Sequence, residues 1–357
     1  MKLGIIGLPQ TGKKTLYKLL TGTDPSGAQS KPDRALQGIA EILDERFDAL
    51  VKMYRPKKET RARINVELLP DLDPGSIKEG AVFRDIADTS ALCHVVRAFA
   101  DDSVYHALGS VNPERDTENI NAELILNDLI FIEKRLERIE QNKKRGKDDT
   151  LKKEEDLLLR FKEHLEKDEP LRTFELAEEE RKLIASYPFI TLKEMICALN
   201  VLEGDMTDTG LLDRLSVKYS VQHIHMMQIS ARLEAEIAAL DSEEERGAFM
   251  EEAGIKEPAI SLLSRLCMEA LGMISFFTVG EDEVRQWQIR KSSTAPEAAG
   301  AIHSDIQRGF IRAEVMKYRD LMELGSEENV KKAGKHLLMG KEYVVEDGDI
   351  INFRFNV

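Results

Sequence analysis

The sequence has little cysteine, a single tryptophan and no apolar run long enough to cross a membrane. Its three cysteines, Cys93, Cys197 and Cys267, are far apart and lack the spacing of a metal site, so we expect three reduced, buried thiols. A membrane-spanning helix needs about 20 consecutive apolar residues, and the amino terminus has no apolar segment of the signal-peptide type. These absences argue against a disulfide-stabilised fold and a membrane partner, and they predict a cytoplasmic protein.

Positive charge is also in deficit. Lysine and arginine number 51 against 65 aspartates and glutamates, so the formal net charge is −14. This balance disfavours nucleic-acid binding driven by bulk charge, although a local basic patch can still form. With 42% hydrophobic and 32% charged residues over 357 positions, the chain has the composition of two or three folded domains.

A phosphate-binding loop is indicated near the amino terminus. The apolar run at residues 2–7 ends in glycine and is followed by a loop and a helical pattern. Gly7, Gly12 and Lys13 fit G-x-x-x-x-G-K, in which the loop N–H groups converge on phosphate oxygens and the lysine reaches the outer phosphates. The following helix directs its N-terminus at the same anion. The predicted nucleotide-contacting residues of this segment, called the P-loop below, are Gly7, Pro9, Gln10, Thr11, Gly12, Lys13, Lys14 and Thr15.

The position after Lys13 departs from the motif. A serine or threonine normally stands there and holds Mg²⁺, but this sequence has Lys14 and only then Thr15. A charged lysine is a donor without acceptor capacity, and it repels a divalent cation. The sequence therefore predicts no metal ligand at this position and puts Mg²⁺ in question as a cofactor. In the competing hypothesis, Lys14 points outward and Thr15 or Asp71 takes the metal.

The order of the predicted elements indicates an α/β fold with a mainly parallel sheet. His223 and His225 lie two apart on a predicted strand and would share one face, but no third ligand is visible, so we interpret them as structural. His94 follows an apolar run and is also interpreted as structural. Strand-like runs alternate with helical patterns and occupy residues 64–69, 91–99, part of 189–199, and 223–229.

A helical insertion and a small carboxy-terminal module interrupt and follow this pattern. Apolar residues from Ile125 to Ile139 have heptad spacing, which recurs over residues 151–165 after a polar turn at 142–149, and this predicts an antiparallel helical hairpin. Short alternating strand patterns return from residue 274. The predicted domains are a nucleotide-binding domain over 1–122 and 190–273, a helical insertion over 123–189, and an α+β domain over 274–357.

Several longer segments resemble one known family over nearly the whole chain. The most specific are TAPEAAGAIHSDIQRGFIRAEV at 294–315 and AGKHLLMGKEYVVEDGDIINFRFNV at 333–357. They resemble the Obg-like ATPase (YchF) family of P-loop proteins of the translation-factor type. The resemblance implies a P-loop NTPase domain with an inserted coiled-coil hairpin and a C-terminal TGS domain. It also implies ATP or GTP as ligand and a ribosomal or structured-RNA partner, contacted through the TGS domain and the hairpin.

The base-reading element of the family is present. Where GTPases use N-K-x-D to pair with guanine, the family has N-x-x-E and prefers ATP. The matching residues here are Asn200, Val201, Leu202 and Glu203, directly after an apolar run. Ser230 and Ala231 similarly match the later loop that contacts the base in the family. The resemblance therefore implies that these six residues surround the nucleobase.

The metal and switch elements of the family do not match. The family's first switch carries a threonine that ligates Mg²⁺, but residues 30–38 (SKPDRALQG) contain none. The family's D-I-A-G-L corresponds to residues 69–73 (LPDLD), which lack D-x-x-G, and the second switch that follows is shortened to residues 74–86. With Lys14, each expected contact to Mg²⁺ or the γ-phosphate is altered.

These patterns predict a nucleotide-binding protein in which Mg²⁺-dependent hydrolysis is absent or very slow, and the family resemblance implies that it associates with the ribosome. No catalytic residue is predicted. Two alternatives stay open, namely a working ATPase or GTPase that recruits metal differently, and a nucleotide-free scaffold protein. The P-loop and the N-x-x-E segment favour nucleotide binding, whereas the altered switches favour loss of turnover.

The carboxy-terminal module has a net charge of −2, so any RNA contact there requires a local cluster of basic residues. Arg308, Arg312, Lys317 and Arg319 are candidates. If they lie on one helix, residues 308, 312 and 319 share a face. We expect shape-specific docking and not loose electrostatic binding.

Overall fold

The structure, a computed structural model, describes residues 2–26, 34–73, 81–143, 149–240, 242–253, 255 and 257–356. The strands are β1 Lys2–Ile6, β2 Leu36–Glu41, β3 Lys58–Thr60, β4 Arg63–Leu68, β5 Ala91–Arg97, β6 Met195–Asn200, β7 Ile224–Ile229, β8 Met273–Thr278, β9 Glu283–Arg290, β10 Phe310–Lys317, β11 Leu337–Met339 and β12 Asp349–Phe355. The α-helices are α1 Lys13–Thr21, α2 Glu45–Tyr54, α3 Ala81–Ala87, α4 Pro113–Lys143, α5 Asp149–Leu165, α6 Glu178–Ile184, α7 Gly210–Ser220, α8 Ala231–Ala238, α9 Glu243–Glu252, α10 Ala259–Ala270, α11 Ala295–Ile302, α12 Ser304–Arg308, α13 Tyr318–Leu324 and α14 Glu327–Lys332.

The chain forms two compact units that interleave along the sequence. The first comprises Met1–Ala40 and Asn65–Ile260, and the second comprises Glu41–Ile64 and Ser261–Val357. The sequence predicts that residues 41–64 belong to the nucleotide-binding domain, whereas the structure groups them with the carboxy-terminal residues. The reason is that the apolar side chains of α2 pack within the second unit and the backbone of β3 pairs with β9.

The first unit is built on a six-stranded sheet in the order β2-β4-β1-β5-β6-β7. Strand β1 pairs in parallel with β4 and β5, and β5, β6 and β7 continue the parallel pairing. Every residue of β5 and β6 is buried, as expected for central strands covered on both faces by helices. The predicted α/β fold is confirmed, and the parallel arrangement brings the loops after β1, β6 and β7 to one edge of the sheet.

The inserted hairpin consists of α4 and α5. Ile132, Ile139, Leu158 and Phe161 are fully buried between these helices and residues that follow them, so the predicted heptad seam is confirmed. Residues 144–148, the centre of the predicted polar turn, lie outside the described residues. None of the helices that the structure describes combines the length and the apolar character needed to cross a membrane.

The second unit contains a sheet in the order β11-β10-β12-β8-β9-β3. Strand β3 pairs in parallel with the edge of β9, with Thr60 beside Arg285. On α2, Phe47 and Leu50 are fully buried in a cluster with Phe277 and Val284. The predicted α+β module is confirmed, and residues from the first sixty of the chain complete its core.

The predicted helical face of basic residues in this unit is wrong. Arg312 lies on β10, where side chains alternate between the two faces of the sheet. Lys317, at the end of the same strand, donates to the buried Asp349 at 2.7 Å and pairs with Glu346 at 3.1 Å. These residues therefore do not form one helical stripe.

All three cysteines are free and buried, as the sequence predicts. Burial raises the pKa of the thiols of Cys197 and Cys267 to about 12. The thiols are therefore protonated at neutral pH and behave as small apolar side chains.

Candidate functional site

The P-loop joins the end of β1 to the start of α1, and its two glycines meet requirements that other residues cannot. A Cβ on Gly7 would lie 2.6 Å from the Val95 carbonyl oxygen. Gly12 has φ +95°, and a Cβ there would lie 2.2 Å from Asn200 Nδ2. Both positions therefore require glycine, because the backbone passes close to β5 and β6. Gln10, between them, is exposed and also has a positive φ of 61°.

The start of α1 is suited to an anion. Gly12 caps the helix without a side-chain hydrogen bond, and the first turn carries no acidic residue. The first N–H groups of the helix therefore lack an intrahelical acceptor and point toward the loop. Thr11 faces inward instead, where its Oγ1 donates to the Leu8 carbonyl at 3.1 Å, and Pro9 is half-buried.

Lys13 is buried, at 3% exposure, and its ammonium group is already bound. Its Nζ donates to the Leu69 carbonyl at 2.8 Å and lies 2.9 Å from Asp71 Oδ1. Burial lowers the pKa of Lys13, and the Asp71 carboxylate opposes that shift. Residues 69–71, which precede the predicted second switch, therefore hold the P-loop lysine, and the Leu72 N–H further donates to the Gly7 carbonyl at 3.0 Å.

Lys14 and Thr15 differ from Lys13 in that both are exposed. Asp71, the alternative metal ligand of the competing hypothesis, contacts Lys13. In the part of the chain that the structure describes, no group of three histidine, cysteine or acidic side chains is arranged to hold a metal ion. Residues 27–33 of the first-switch region and residues 74–80 after Asp73 lie outside that part.

Asn200 joins three of the predicted elements. Its Nδ2 donates to the Thr11 carbonyl at 2.9 Å, and its Oδ1 accepts from the Ala231 N–H at 3.0 Å. The side chain is only 6% exposed. Ser230 is the N-cap of α8, where its Oγ accepts from the Leu233 N–H at 3.4 Å. The structure therefore brings the P-loop, the end of β6 and the start of α8 into direct contact.

The remaining residues of the N-x-x-E segment differ in exposure. Val201 is buried at 7%, whereas Leu202 is 44% exposed. Glu203 is also exposed and begins a short 3₁₀ turn, Glu203–Asp205. The Asp205 carbonyl accepts from Gln228 Nε2 at 2.9 Å, which fixes the turn to β7. Asn200 is thus a structural support of the site, and Leu202 and Glu203 are its accessible members.

His94, which the sequence predicts to be structural, is a neighbour of this site. It lies on β5, fully buried, and burial together with the Lys13 charge lowers its pKa to about 3. Its Nδ1 has no hydrogen-bond partner among the described residues. His106 is another buried histidine. Its Nε2 is 3.0 Å from Asp116 Oδ2, and its Nδ1 accepts a hydrogen bond from the Leu108 N–H. An apolar-strand pattern alone does not distinguish a neutral histidine beside Lys13 from an ordinary core residue.

The expectation that His223 and His225 share a strand face is wrong. His223 precedes β7 and has φ +52° in a turn, so only His225 lies on the strand. The turn changes the direction of the His223 side chain, because strand alternation begins only at Ile224.

Comparisons with known proteins cover the whole chain. The family model YchF-GTPase_C, described as "Protein of unknown function (DUF933)", matches residues 273–356. The "Ribosome-binding ATPase YchF" of Bacillus subtilis is 39% identical over 366 residues, covering 99% of each chain. The "Obg-like ATPase 1" of Homo sapiens is 36% identical over 369 residues, covering 100% of this chain and 92% of the human one. The solved structure of the Schizosaccharomyces pombe YchF GTPase has a TM-score of 0.82 at 30% identity and covers 99% of this chain and 97% of that chain.

Proposed function

The chain belongs to the YchF and Obg-like ATPase family, and on that premise we propose that it binds a nucleoside triphosphate at the P-loop and associates with the ribosome in the cytoplasm. The observation that carries nucleotide binding is the double hydrogen bond of Asn200 to Thr11 and Ala231. This contact holds the phosphate-binding and base-reading segments at a fixed separation, as a nucleotide that bridges them requires.

ATP is the preferred nucleotide in this proposal. The carboxylate of Glu203 accepts hydrogen bonds, as the aspartate of the guanine-specific motif does, but one extra methylene displaces it from that pairing position. The geometry therefore relaxes guanine selectivity, and the preference for adenine rests on relatives that are named ATPases. The exposed side chain of Leu202 offers an apolar contact for the base.

Hydrolysis in this proposal is impaired, because the metal is poorly held. Phosphoryl transfer in P-loop proteins depends on Mg²⁺ that bridges the β- and γ-phosphates and is ligated by the loop Ser or Thr. Lys14 occupies that position, and no D-x-x-G follows Asp71. An exposed lysine can neutralise phosphate charge, but its flexible stem does not fix two oxygens as a bound cation does. Nucleotide binding that does not depend on Mg²⁺ follows from this arrangement.

The ribosome is proposed as the partner because the relatives in Bacillus subtilis and Haemophilus influenzae are both named "Ribosome-binding ATPase YchF". The chain matches the full length of these relatives. The second unit, which contains the matched family domain, and the α4–α5 hairpin are the proposed contact elements.

Calorimetric titration with ATP, GTP and ADP, each with and without Mg²⁺, tests the proposal. We expect saturable binding of ATP that changes less than tenfold when Mg²⁺ is removed. Glu203→Asp is the matched variant, because it restores the shorter carboxylate and should shift the ATP-to-GTP ratio toward GTP by about tenfold, or about 1.4 kcal/mol. A GTP affinity tenfold above that for ATP in the unmodified protein would contradict the adenine preference. Absence of any binding would favour the scaffold alternative.

A further inference from the structure

An open cavity of about 720 Å³ lies within the second unit. Its lining includes β3, the following residues 61–63 and residues 285–288 of β9. This volume is in the range of cavities that bind small molecules. All the lining residues belong to the second unit, whereas the P-loop residues belong to the first.

The cavity lining has more basic than acidic side chains, although the chain as a whole is acidic. It includes the four cations Lys58, Arg61, Arg63 and Arg285 and two carboxylates, Glu41 and Glu59. Three of the cations are paired with acidic groups that offset their charge: Lys58 with Glu283 at 2.9 Å, Arg63 with Glu41 at 2.8 Å, and Arg61 with Asp48. The fourth, Arg285, is the cation that remains to attract an anionic ligand.

Arg285 differs from the other three. Among the described residues, no carboxylate lies within ion-pair distance of its guanidinium group. Its central carbon instead lies over an aromatic side chain, 3.8 Å from the centre of the Trp287 ring. Trp287 is fixed in turn, because its Nε1 donates to Thr278 Oγ1 at 3.0 Å and its ring stacks on Phe276 at an interplanar angle of 13°.

This stack presents a planar cation at the wall of the cavity. A guanidinium plane backed by an aromatic ring is a surface on which nucleobases stack, and its N–H edge binds phosphate oxygens. Residues 285 and 287 point to the same side of β9 because they are two apart on a strand. Arg63, whose side chain is exposed, supplies further phosphate donors from the same lining.

We propose that this cavity is a second ligand site, which binds a mononucleotide with its base stacked on Arg285 and its phosphate at Arg63. The proposal is independent of nucleotide binding at the P-loop. A nucleoside monophosphate is the suitable probe, since the P-loop lysine acts mainly on the outer phosphates of a di- or triphosphate.

Trp287 makes the site directly observable, because it is the only tryptophan in the sequence. The full-length protein is titrated with AMP while indole fluorescence is recorded with excitation at the red edge of the tryptophan band. We expect a saturable change in fluorescence. Adenosine without phosphate and inorganic phosphate without a base should each bind at least tenfold more weakly than AMP.

The variants separate this site from the P-loop and from a general loss of fold. Arg285→Lys keeps the charge but loses the plane, and it should weaken AMP binding at least tenfold. Arg290→Lys is the matched control on the same strand, outside the cavity lining, and should titrate as the unmodified protein does. Lys13→Met disables the P-loop and should also leave the AMP titration unchanged.

Three outcomes would overturn the proposal. The first is the absence of a saturable fluorescence change with AMP in the folded full-length protein. The second is a titration that is the same in Arg285→Lys as in the unmodified chain, because the stack would then play no part. The third is loss of the signal in Lys13→Met, because the tryptophan would then report nucleotide at the P-loop.

Discussion

Asp71 competes with nucleotide for Lys13, so neutralising Asp71 should strengthen nucleotide binding and weaken folding. The Lys13 Nζ lies 2.9 Å from Asp71 Oδ1, and the two side chains are 4% and 39% exposed. A hydrogen bond between charged groups contributes roughly 1.5–3 kcal/mol. Because more than a third of Asp71 is exposed, solvent screening reduces this to about 1 kcal/mol.

In Asp71→Asn, Lys13 keeps its bond to the Leu69 carbonyl at 2.8 Å but no longer has a carboxylate partner at Asp71. The free energy of unfolding of the nucleotide-free protein should fall by about 1 kcal/mol. The affinity for ADP and ATP should rise about fivefold, because the phosphate no longer displaces a carboxylate. Calorimetric titration without Mg²⁺ and urea unfolding measure the two changes, which have opposite signs.

The matched control is Asp88→Asn, which removes the same charge from an exposed aspartate paired with Lys2 at 2.5 Å. Its nucleotide affinity should stay within twofold of the unmodified protein. An Asp71→Asn affinity equal to or below that of the unmodified protein would refute the competition. A loss seen only with Mg²⁺ would identify Asp71 as the metal ligand of the competing hypothesis.

Two further predictions concern Lys14 and His94. Lys14→Ser should raise the rate of single-turnover ATP hydrolysis with Mg²⁺ at least tenfold, because it restores the hydroxyl that ligates the metal. This prediction would be contradicted if Mg²⁺ stimulated turnover in the unmodified protein as strongly as in a family member that has serine at this position. In the folded protein the pKa of His94 is about 3, below the ordinary value of 6.5. As the pH falls, the histidine of the unfolded chain is therefore protonated first, and the free energy of unfolding decreases between about pH 6.5 and pH 3. At pH 5 this residue lowers the free energy of unfolding by about 2 kcal/mol. The free energy of unfolding of His94→Leu, measured by urea unfolding, should lack this pH-dependent loss. A pH dependence equal to that of the unmodified protein would refute the low pKa of His94.

The parallel sheet and the hairpin could be predicted from the sequence because their side chains carry strong periodic signals. Residues 91–96 are apolar apart from His94, and residues 195–199 are an uninterrupted apolar run, as is typical of strands buried on both faces of a sheet. The heptad seam of α4 and α5 is a local pattern of the same kind. In each case the information lies within one contiguous segment.

The placement of α2 and β3 could not be predicted in this way. Phe47 and Leu50 belong to the apolar face of an amphipathic helix, which can pack on any apolar surface. The pattern does not identify their partner Phe277, which lies far along the chain. The same holds for the Lys13–Asp71 contact, because the P-loop motif specifies the lysine but not its partner in the absence of phosphate. The basic residues of the second unit show a third cause, since Arg308, Arg312 and Arg319 have helical spacing but lie on α12, β10 and α13.

The origin of α2 early in the chain has a consequence for biosynthesis. Phe47 and Leu50 leave the ribosome about 230 residues before Phe277 does, which is a delay of roughly 10–50 s at ordinary translation rates. Throughout that interval the apolar face of α2 has no partner from the second unit, so the nascent chain exposes it while the first sheet forms. A chaperone that covers residues 45–54 during synthesis, or a slower-translating message upstream of residue 273, would therefore change the yield of correctly folded protein without altering any contact of the final structure.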